Sequence, residues 1–415
     1  MSSGGSQEPT TLRRSLSFPL LLLYGLGTTV GAGVYALTGA VVANAGMQAP
    51  FSFLLASALV ACTALTFGEL GSRYPRSASE AVWVRAAFGA PRLGTFVVLC
   101  VALAGTVSAA TMLTGLHGYL ASVVALPQAP VVAVVGLAMG VIAAWGIEES
   151  VRVAAAITIV EVVALLAVAV LALASVDGPL LARLPELVPE ARPSTWLGIF
   201  SGGLLAFYAF LGFEDMVQVA EETVDVRDTL PAAITATLLI TTLIYVVLAV
   251  ACVLAVDPTA LATSSAPLAY VFEQTTGRSP ALITLVSVFA IANGGLVQII
   301  MAARILYGLS SQGILPDALG RIDPRTRTPL AATALITALV IALAVGFRLE
   351  ALARITSVIM LGVFTCMNLT LVAMKRLDPT PEGVRVYPAW VPAVGFVTSA
   401  AFFVYGLFEL VAFAF

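Results

Sequence analysis

Runs of about twenty apolar residues recur along the whole chain, and each is long enough to cross a hydrocarbon core of about 30 Å as a helix. We count eleven, at about 17–43, 50–72, 91–122, 130–146, 152–175, 196–220, 231–256, 280–311, 329–346, 352–374 and 389–413. Only 10% of the residues are charged, where a soluble domain carries about 25%. The chain therefore reads as an all-α polytopic membrane protein with about 11 transmembrane helices and no soluble domain attached.

Basic residues set its expected orientation. With the N-terminus inside, inner segments hold fourteen of the 20 Lys and Arg residues, and outer ones five, Arg348 and Arg354 among them. Such asymmetry is the positive-inside pattern. It predicts a multi-pass protein of the cell membrane with a cytoplasmic N-terminus and, from an odd span count, an extracytoplasmic C-terminus. Residues 1–16 read as a cytoplasmic tail. Their Arg13-Arg14 pair resembles the start of an export signal, but the run behind it is too long for one and lacks a cleavage site. The stretch "SRYPRSASEAVWVRAAFGAP" between the second and third spans reads as an amphipathic inner-surface segment.

Two spans are soft at their centres. The first contains "GLGTTVGAGVYALTG", Gly25 to Gly39, and the sixth "SGGLLAFYAFLGFED", Ser201 to Asp215. Glycine costs a helix interior about 1 kcal/mol relative to alanine, so such stretches need a reason. They open two sets of five spans that begin on opposite sides of the membrane. Paired interruptions at matching positions point to an inverted-repeat carrier with broken helices at its midplane. The repeats would cover about 17–175 and 196–376 of a ten-helix core at 17–376. Residues 377–415 would add a loop and an eleventh helix.

A broken helix frees N–H groups on one half and C=O groups on the other, tolerable in lipid only beside a cavity or ligand. Freed N–H groups at a half-helix start attract a carboxylate, and freed carbonyls accept from an ammonium. Together they suit a zwitterion such as an α-amino acid. Gly27 and Gly31 also form GxxxG, which marks close helix packing. A nucleotide-binding fingerprint fails, since the third glycine and the preceding strand are missing.

These residues carry a family resemblance. "GLGTTVGAGVYALTG" resembles the first span of the amino acid–polyamine–organocation (APC) transporters, in particular their cationic amino acid branch. "LAFYAFLGFEDMVQVAEETVDVRDTLPAAI" is similar to that family's sixth span and following loop, while "GELGSRYPRSASEAVWVRAAFG" and "ARILYGLSSQGILP" match two further motifs in order. The resemblance runs from about residue 17 to 376. It implies a five-plus-five, LeuT-like, two-bundle fold with alternating access. Carried over, the backbone N–H groups around Gly31, Ala32 and Gly33 would hold the substrate carboxylate, and Thr28 and Thr29 would belong to the substrate site. Carbonyls near Phe207, Ala209 and Phe210 would hold its ammonium, and Phe207 and Tyr208 would cover it. Lipid or helix packing is the plainer role for both rings.

The charges and polar groups inside the spans divide by depth. Glu161, in "AAITIVEVVALLAVAV", is deep, and an ionisable residue there is a functional candidate. Several relatives resembling this chain carry lysine at that place. Here a proton-coupling site, a structural acid and a sodium ligand all remain open. Glu214 and Asp215 would line an inner vestibule or a hydrated face. Glu221 and Glu222 are expected as an inner gate or brace, paired with Arg73, Arg76, Arg85 or Arg304, and Glu69 as a structural partner. Ser108 and Thr111, three residues apart on the third span, face one surface and suit either a substrate side chain or a neighbouring helix. His117 reads as a satisfied packing residue, and Asn293 is ambiguous in the same way as Ser108.

The functional expectation is a secondary active amino acid transporter, proton-coupled, with Glu161 as the candidate coupling residue and with amino acid, protons and lipid as its partners. Exchange in place of symport, and an amine or polyamine substrate, are alternatives. A non-transporting sensor or partner-dependent subunit is the alternative from a different class. Nothing resembles a P-loop, a catalytic constellation or a nucleic-acid patch, so no enzyme activity is expected. Four cysteines, Cys62, Cys100, Cys252 and Cys366, lie in apolar runs without metal-ligand spacing, so neither metal nor cofactor is expected.

Overall fold

The computed structural model describes residues 16–75, 79–124, 126–145 and 151–414. Residues 1–15 of the expected N-terminal tail and the Arg76 partner lie outside them. Thirteen main helices follow in order. They are α1 (Phe18–Val30), α2 (Ala32–Ala45), α3 (Ala49–Arg73), α4 (Ser79–Phe88), α5 (Pro91–Ala121), α6 (Gln128–Trp145), α7 (Val151–Ala174), α8 (Pro193–Ala209), α9 (Val226–Ala255), α10 (Ala281–Ser311), α11 (Leu330–Gly346), α12 (Leu349–Leu377) and α13 (Trp390–Ala414). Short helices at Leu180–Arg183, Pro258–Thr263 and Pro267–Thr276 lie in the connections.

Each expected span has its helix, and the two soft ones are broken. Among the described residues nine helical stretches are long and apolar enough to cross a membrane, and Phe18–Val30 and Leu330–Gly346 are shorter apolar helices. The first span is α1 plus α2. The sixth is α8 followed, after Gly212, by a 3₁₀ helix at Phe213–Glu222. Proline opens α3, α5 and α8 within their first turn, where a missing N–H costs nothing. Pro231 sits inside α9 and cannot donate to the Arg227 carbonyl; the Ser72 hydroxyl of α3 does so instead, at 3.4 Å.

Burial separates lipid-facing helices from core ones. The largest apolar cluster joins α1, α2, α3, α8, α9 and α12, and a smaller one joins α5, α6, α10 and α11. α6 exposes Val134 and Leu137, and α13 exposes Val397 and Phe408. Exposed side chains of that kind, on helices of that length, are what hydrocarbon solvates.

Both ends of α12 are pinned by charge. At one end Glu69, fully buried in α3, accepts from Arg73 (2.7 Å), from Lys375 of α12 (2.7 and 2.8 Å) and from the Tyr387 N–H (2.9 Å). Glu69 is thus the structural partner expected of it. At the other end Arg354 donates to Glu409 of α13 (2.6 Å), Ser201 of α8 (3.0 Å) and Asn44 of α2 (3.2 Å). The sequence reading counted Arg354 among the outer-segment charges. Its guanidinium is 5% exposed within α12, and Glu409, an acid inside the last span, lets it be buried there. Removing one partner of the buried Glu69–Lys375 pair at the first end costs about 3–5 kcal/mol.

Candidate functional site

The two breaks meet. Gly31 separates α1 from α2 with φ −49° and ψ −130°, and no side chain caps the start of α2. The first N–H groups of a helix have no partner within it, so this start is a ready donor set. A Cβ on Gly33 would stand 2.5 Å from the Cα of Ala209, the last residue of α8. Only a hydrogen at that position lets the first break rest on the second.

The second break is wider. After Ala209 the N–H of Phe210 turns back to the Phe207 carbonyl at 3.0 Å and that of Leu211 to the Tyr208 carbonyl at 3.1 Å. Gly212 then takes φ +122°, and a Cβ there would strike the backbone carbonyl of Thr28. The Thr28 hydroxyl donates to the Gly212 carbonyl at 2.9 Å, so the two interruptions are also tied on this side.

Tyr245 of α9 joins them at the centre. Its single hydroxyl proton is shared between the Thr29 carbonyl (2.8 Å) and the Ala209 carbonyl (2.9 Å), one from each break. The ring is fully buried and meets Phe210 edge-on at 5.1 Å. A lone tyrosine inside the apolar run "TTLIYVVLAVAC" was the signal for this residue. It was missed because its partners are backbone atoms far away in sequence. The Thr29 hydroxyl is buried beside this junction and has no partner among the described residues.

Several predicted residues gather around it. Ser108 of α5 shares a 2.8 Å hydrogen bond with the Tyr208 hydroxyl, whereas the Thr111 hydroxyl bonds back to the Val107 carbonyl at 2.9 Å. Phe207 packs edge-on against Phe364 at 5.7 Å, within an aromatic group that includes Phe67 and Phe213. Of the carbonyls expected to hold an ammonium, those of Phe207 and Ala209 already accept the bonds given above. The GxxxG pair divides: a Cβ on Gly27 would strike Thr158 of α7, which is packing, while Gly31 is the break.

Glu161 is 3% exposed on α7, one turn beyond Thr158. Tyr35 of α2 donates to its backbone carbonyl at 3.2 Å, which ties the turn of α7 that carries the acid to the helix that follows the first break. Other candidates lie apart. Arg73 is committed to Glu69 and to the Asp378 carbonyl, at 2.9 Å, so it does not serve Glu221 or Glu222. The Glu222 carbonyl accepts from the Leu16 N–H at 3.0 Å. His117 is satisfied by the Leu126 carbonyl at 3.1 Å.

Beyond the second break Glu214 and Asp215 line a small cavity together with Glu80 of α4. The Glu214 carboxylate accepts from the Gly212 N–H at 2.8 Å. Burial pushes the Glu80 carboxyl above its ordinary value, only partly offset by hydrogen bonds, including one from Gln218.

The amino acid permease family model matches residues 16–415. The chain is 27% identical over 395 residues to "Cationic amino acid transporter 4, vacuolar" of Arabidopsis thaliana, across 89% of this chain and 65% of that protein. It is 26% identical over 395 residues to "Branched-chain amino acid permease BcaP" of Bacillus subtilis (strain 168), across 89% of this chain and 82% of that protein. "Cationic amino acid transporter 4" of Mus musculus is 26% identical over 393 residues, across 91% of this chain and 62% of that protein. The chain thus spans a little under two thirds of the plant and mouse relatives.

Proposed function

The chain belongs to the amino acid permease family of the APC superfamily, a family of membrane transporters rather than enzymes, and from that premise we propose that it is a secondary active transporter of α-amino acids working by alternating access. The observation that carries this reading is the junction of the two breaks, where Gly33 abuts Ala209 and Tyr245 holds a carbonyl of each. The uncapped start of α2 offers N–H groups to a carboxylate, and the carbonyl-rich end of α8 offers acceptors to an ammonium. Because Ala209 and Phe207 carbonyls are engaged, the ammonium takes its place when these bonds rearrange, and Tyr245 is the group that must let go. The zwitterion then replaces a protein–protein contact between the breaks. An amine substrate would leave the N–H set without its anion, which favours the amino acid.

Glu161 is the proposed proton carrier. It is buried in a span, and its backbone carbonyl takes the hydroxyl of Tyr35 from α2, so gain or loss of its charge occurs beside the helix whose start would receive the carboxylate. Uptake of labelled amino acids into proteoliposomes, driven by an inward proton gradient with sodium excluded, tests both parts. Accumulation that unlabelled amino acids compete away is expected. Failure of both accumulation and counterflow, with and without sodium, would remove the transporter reading. In Glu161→Gln, counterflow should persist while gradient-driven accumulation falls at least tenfold; intact accumulation would leave Glu161 a structural acid.

A further inference from the structure

At the end of α12 opposite the Glu69–Lys375 pair lies an open cavity of about 410 Å³, within the range of small-molecule sites, about 300–1,000 Å³. Asn44 at the end of α2, Ser201 of α8, Arg348, Glu350 and Arg354 at the start of α12, and Glu409 of α13 line it. Arg354 is the unusual member. It is 5% exposed, and three of the five N–H groups of its guanidinium reach Glu409, Ser201 and Asn44. Its Nε–H is buried and has no partner among the described residues. A guanidinium cannot shed its charge, and a buried donor without an acceptor is costly. The site asks for an acceptor from outside the chain.

The charges nearer the mouth narrow what that acceptor belongs to. Arg348 is exposed and approaches Glu350 only to 4.0 Å, so neither is spent on the other. No side chain caps the start of α12, a helix of 29 residues. Its first N–H groups therefore lack intrahelical partners, and its dipole favours an anion there. The wall as a whole carries two guanidiniums and two carboxylates, so its formal charge is zero. A lone anion would meet Glu350 and Glu409, and a lone cation would meet Arg348 and Arg354. A zwitterion sets each of its charges against the opposite one.

We propose that this cavity binds a compact zwitterion, with its anionic group on Arg354 and Arg348 at the start of α12 and its ammonium on Glu350. Two sources share that chemistry. One is a free amino acid. The other is the headgroup of a phosphoethanolamine lipid, because the exposed Phe408 and Val411 stand beside Glu409 and Ala412, the α13 residues that line the cavity. α2 and α8 each run from this cavity to a break, so an occupant clasps the far ends of the two half-helices that meet at Gly33 and Ala209. The site is additional to the one at the breaks and does not depend on that reading.

Ala412 lines the cavity and is exposed, so it carries the probe. The whole chain with Ala412→Cys, in nanodiscs of phosphatidylglycerol, is labelled with a membrane-impermeant maleimide, and the rate at position 412 is read by peptide mass spectrometry. L-leucine and glycerophosphoethanolamine are the zwitterions; acetate and ethylammonium chloride carry one charge each. At least one zwitterion should slow labelling threefold or more, saturably, and neither single-charge control should. Half-protection should need at least tenfold more ligand in Arg348→Gln and in Glu350→Gln, both at the mouth and outside the buried network. Arg354→Lys, which keeps the charge and removes the Nε–H, should weaken protection as well. Protection by leucine alone assigns the site to a free amino acid. Protection by glycerophosphoethanolamine, reproduced when phosphatidylethanolamine replaces the nanodisc lipid, assigns it to a lipid headgroup. In Gly33→Val, where binding at the breaks is expected to be lost, protection should persist; its loss would show that the label reports on the breaks and would overturn a separate site. Labelling that no zwitterion slows, equal protection by acetate or ethylammonium, or protection unchanged in both Arg348→Gln and Glu350→Gln would overturn the proposal.

Discussion

The first break and the second break solve one problem with opposite chemistry. The first is a single residue wide, carries no charge and ends in an uncapped helix start. The second spans Phe210 to Gly212, turns through a left-handed glycine and runs directly into two buried acids. One therefore favours an anion and the other a cation, and the joint between them is neutral. The proposed receptor would hold both ends of a zwitterion without burying an unpaired charged side chain at the contact itself, where binding has to be reversible. Permanent charge pairs are kept for the ends of α12, where Glu69 and Arg354 are paired in place.

The contrast is broken most severely by filling the space between the two breaks. Gly33→Val places carbon inside the backbone of α8, and overpacking of this kind costs about 1–3 kcal/mol or more. Amino acid binding should be lost while the protein still inserts and remains monodisperse, read by size exclusion and equilibrium binding. Gly212→Ala should follow closely, since it meets both the Thr28 carbonyl and a backbone at φ +122° that side chains avoid.

Removing the joint without altering its shape is a gentler change. Tyr245→Phe strips the donor shared by Thr29 and Ala209, leaving two buried carbonyls short of a partner at about 1–3 kcal/mol. A melting midpoint several degrees lower, with altered substrate affinity, is expected; an unchanged midpoint and affinity would show that the hydroxyl does not hold the breaks together. Thr28→Val is the mildest. The Gly212 carbonyl keeps the Asp215 N–H at 3.1 Å after the threonine hydroxyl is gone, so a cost of about 0.5–1.5 kcal/mol and a small shift in melting should be all that is seen.

Much of this fold was legible because a bilayer leaves helices few alternatives: apolar length located the spans, and misplaced glycines located both breaks. Glycine spacing could not divide GxxxG into a packing residue and a hinge, since that depends on Thr158 lying across from Gly27. Partnerships were the least legible. Glu69 and Lys375 are 306 residues apart, and Arg354 looked like a loop charge because Glu409, which neutralises it, lies in a span that gave no other sign. Tyr245 shows the same limit, since a side chain that bonds to main-chain carbonyls has no complementary residue type to search for. Glu80 reached the cavity through α4, a segment that as sequence promised only a surface helix.

The most direct test of the account is competition for binding of a labelled amino acid to the purified protein, using the unlabelled amino acid, its carboxamide and its decarboxylated amine. If the start of α2 holds a carboxylate, both carboxylate-free analogues should compete at least tenfold less well, a loss of about 1.4 kcal/mol. Equal competition by the decarboxylated amine would contradict a receptor built from two broken helices for the two ends of a zwitterion.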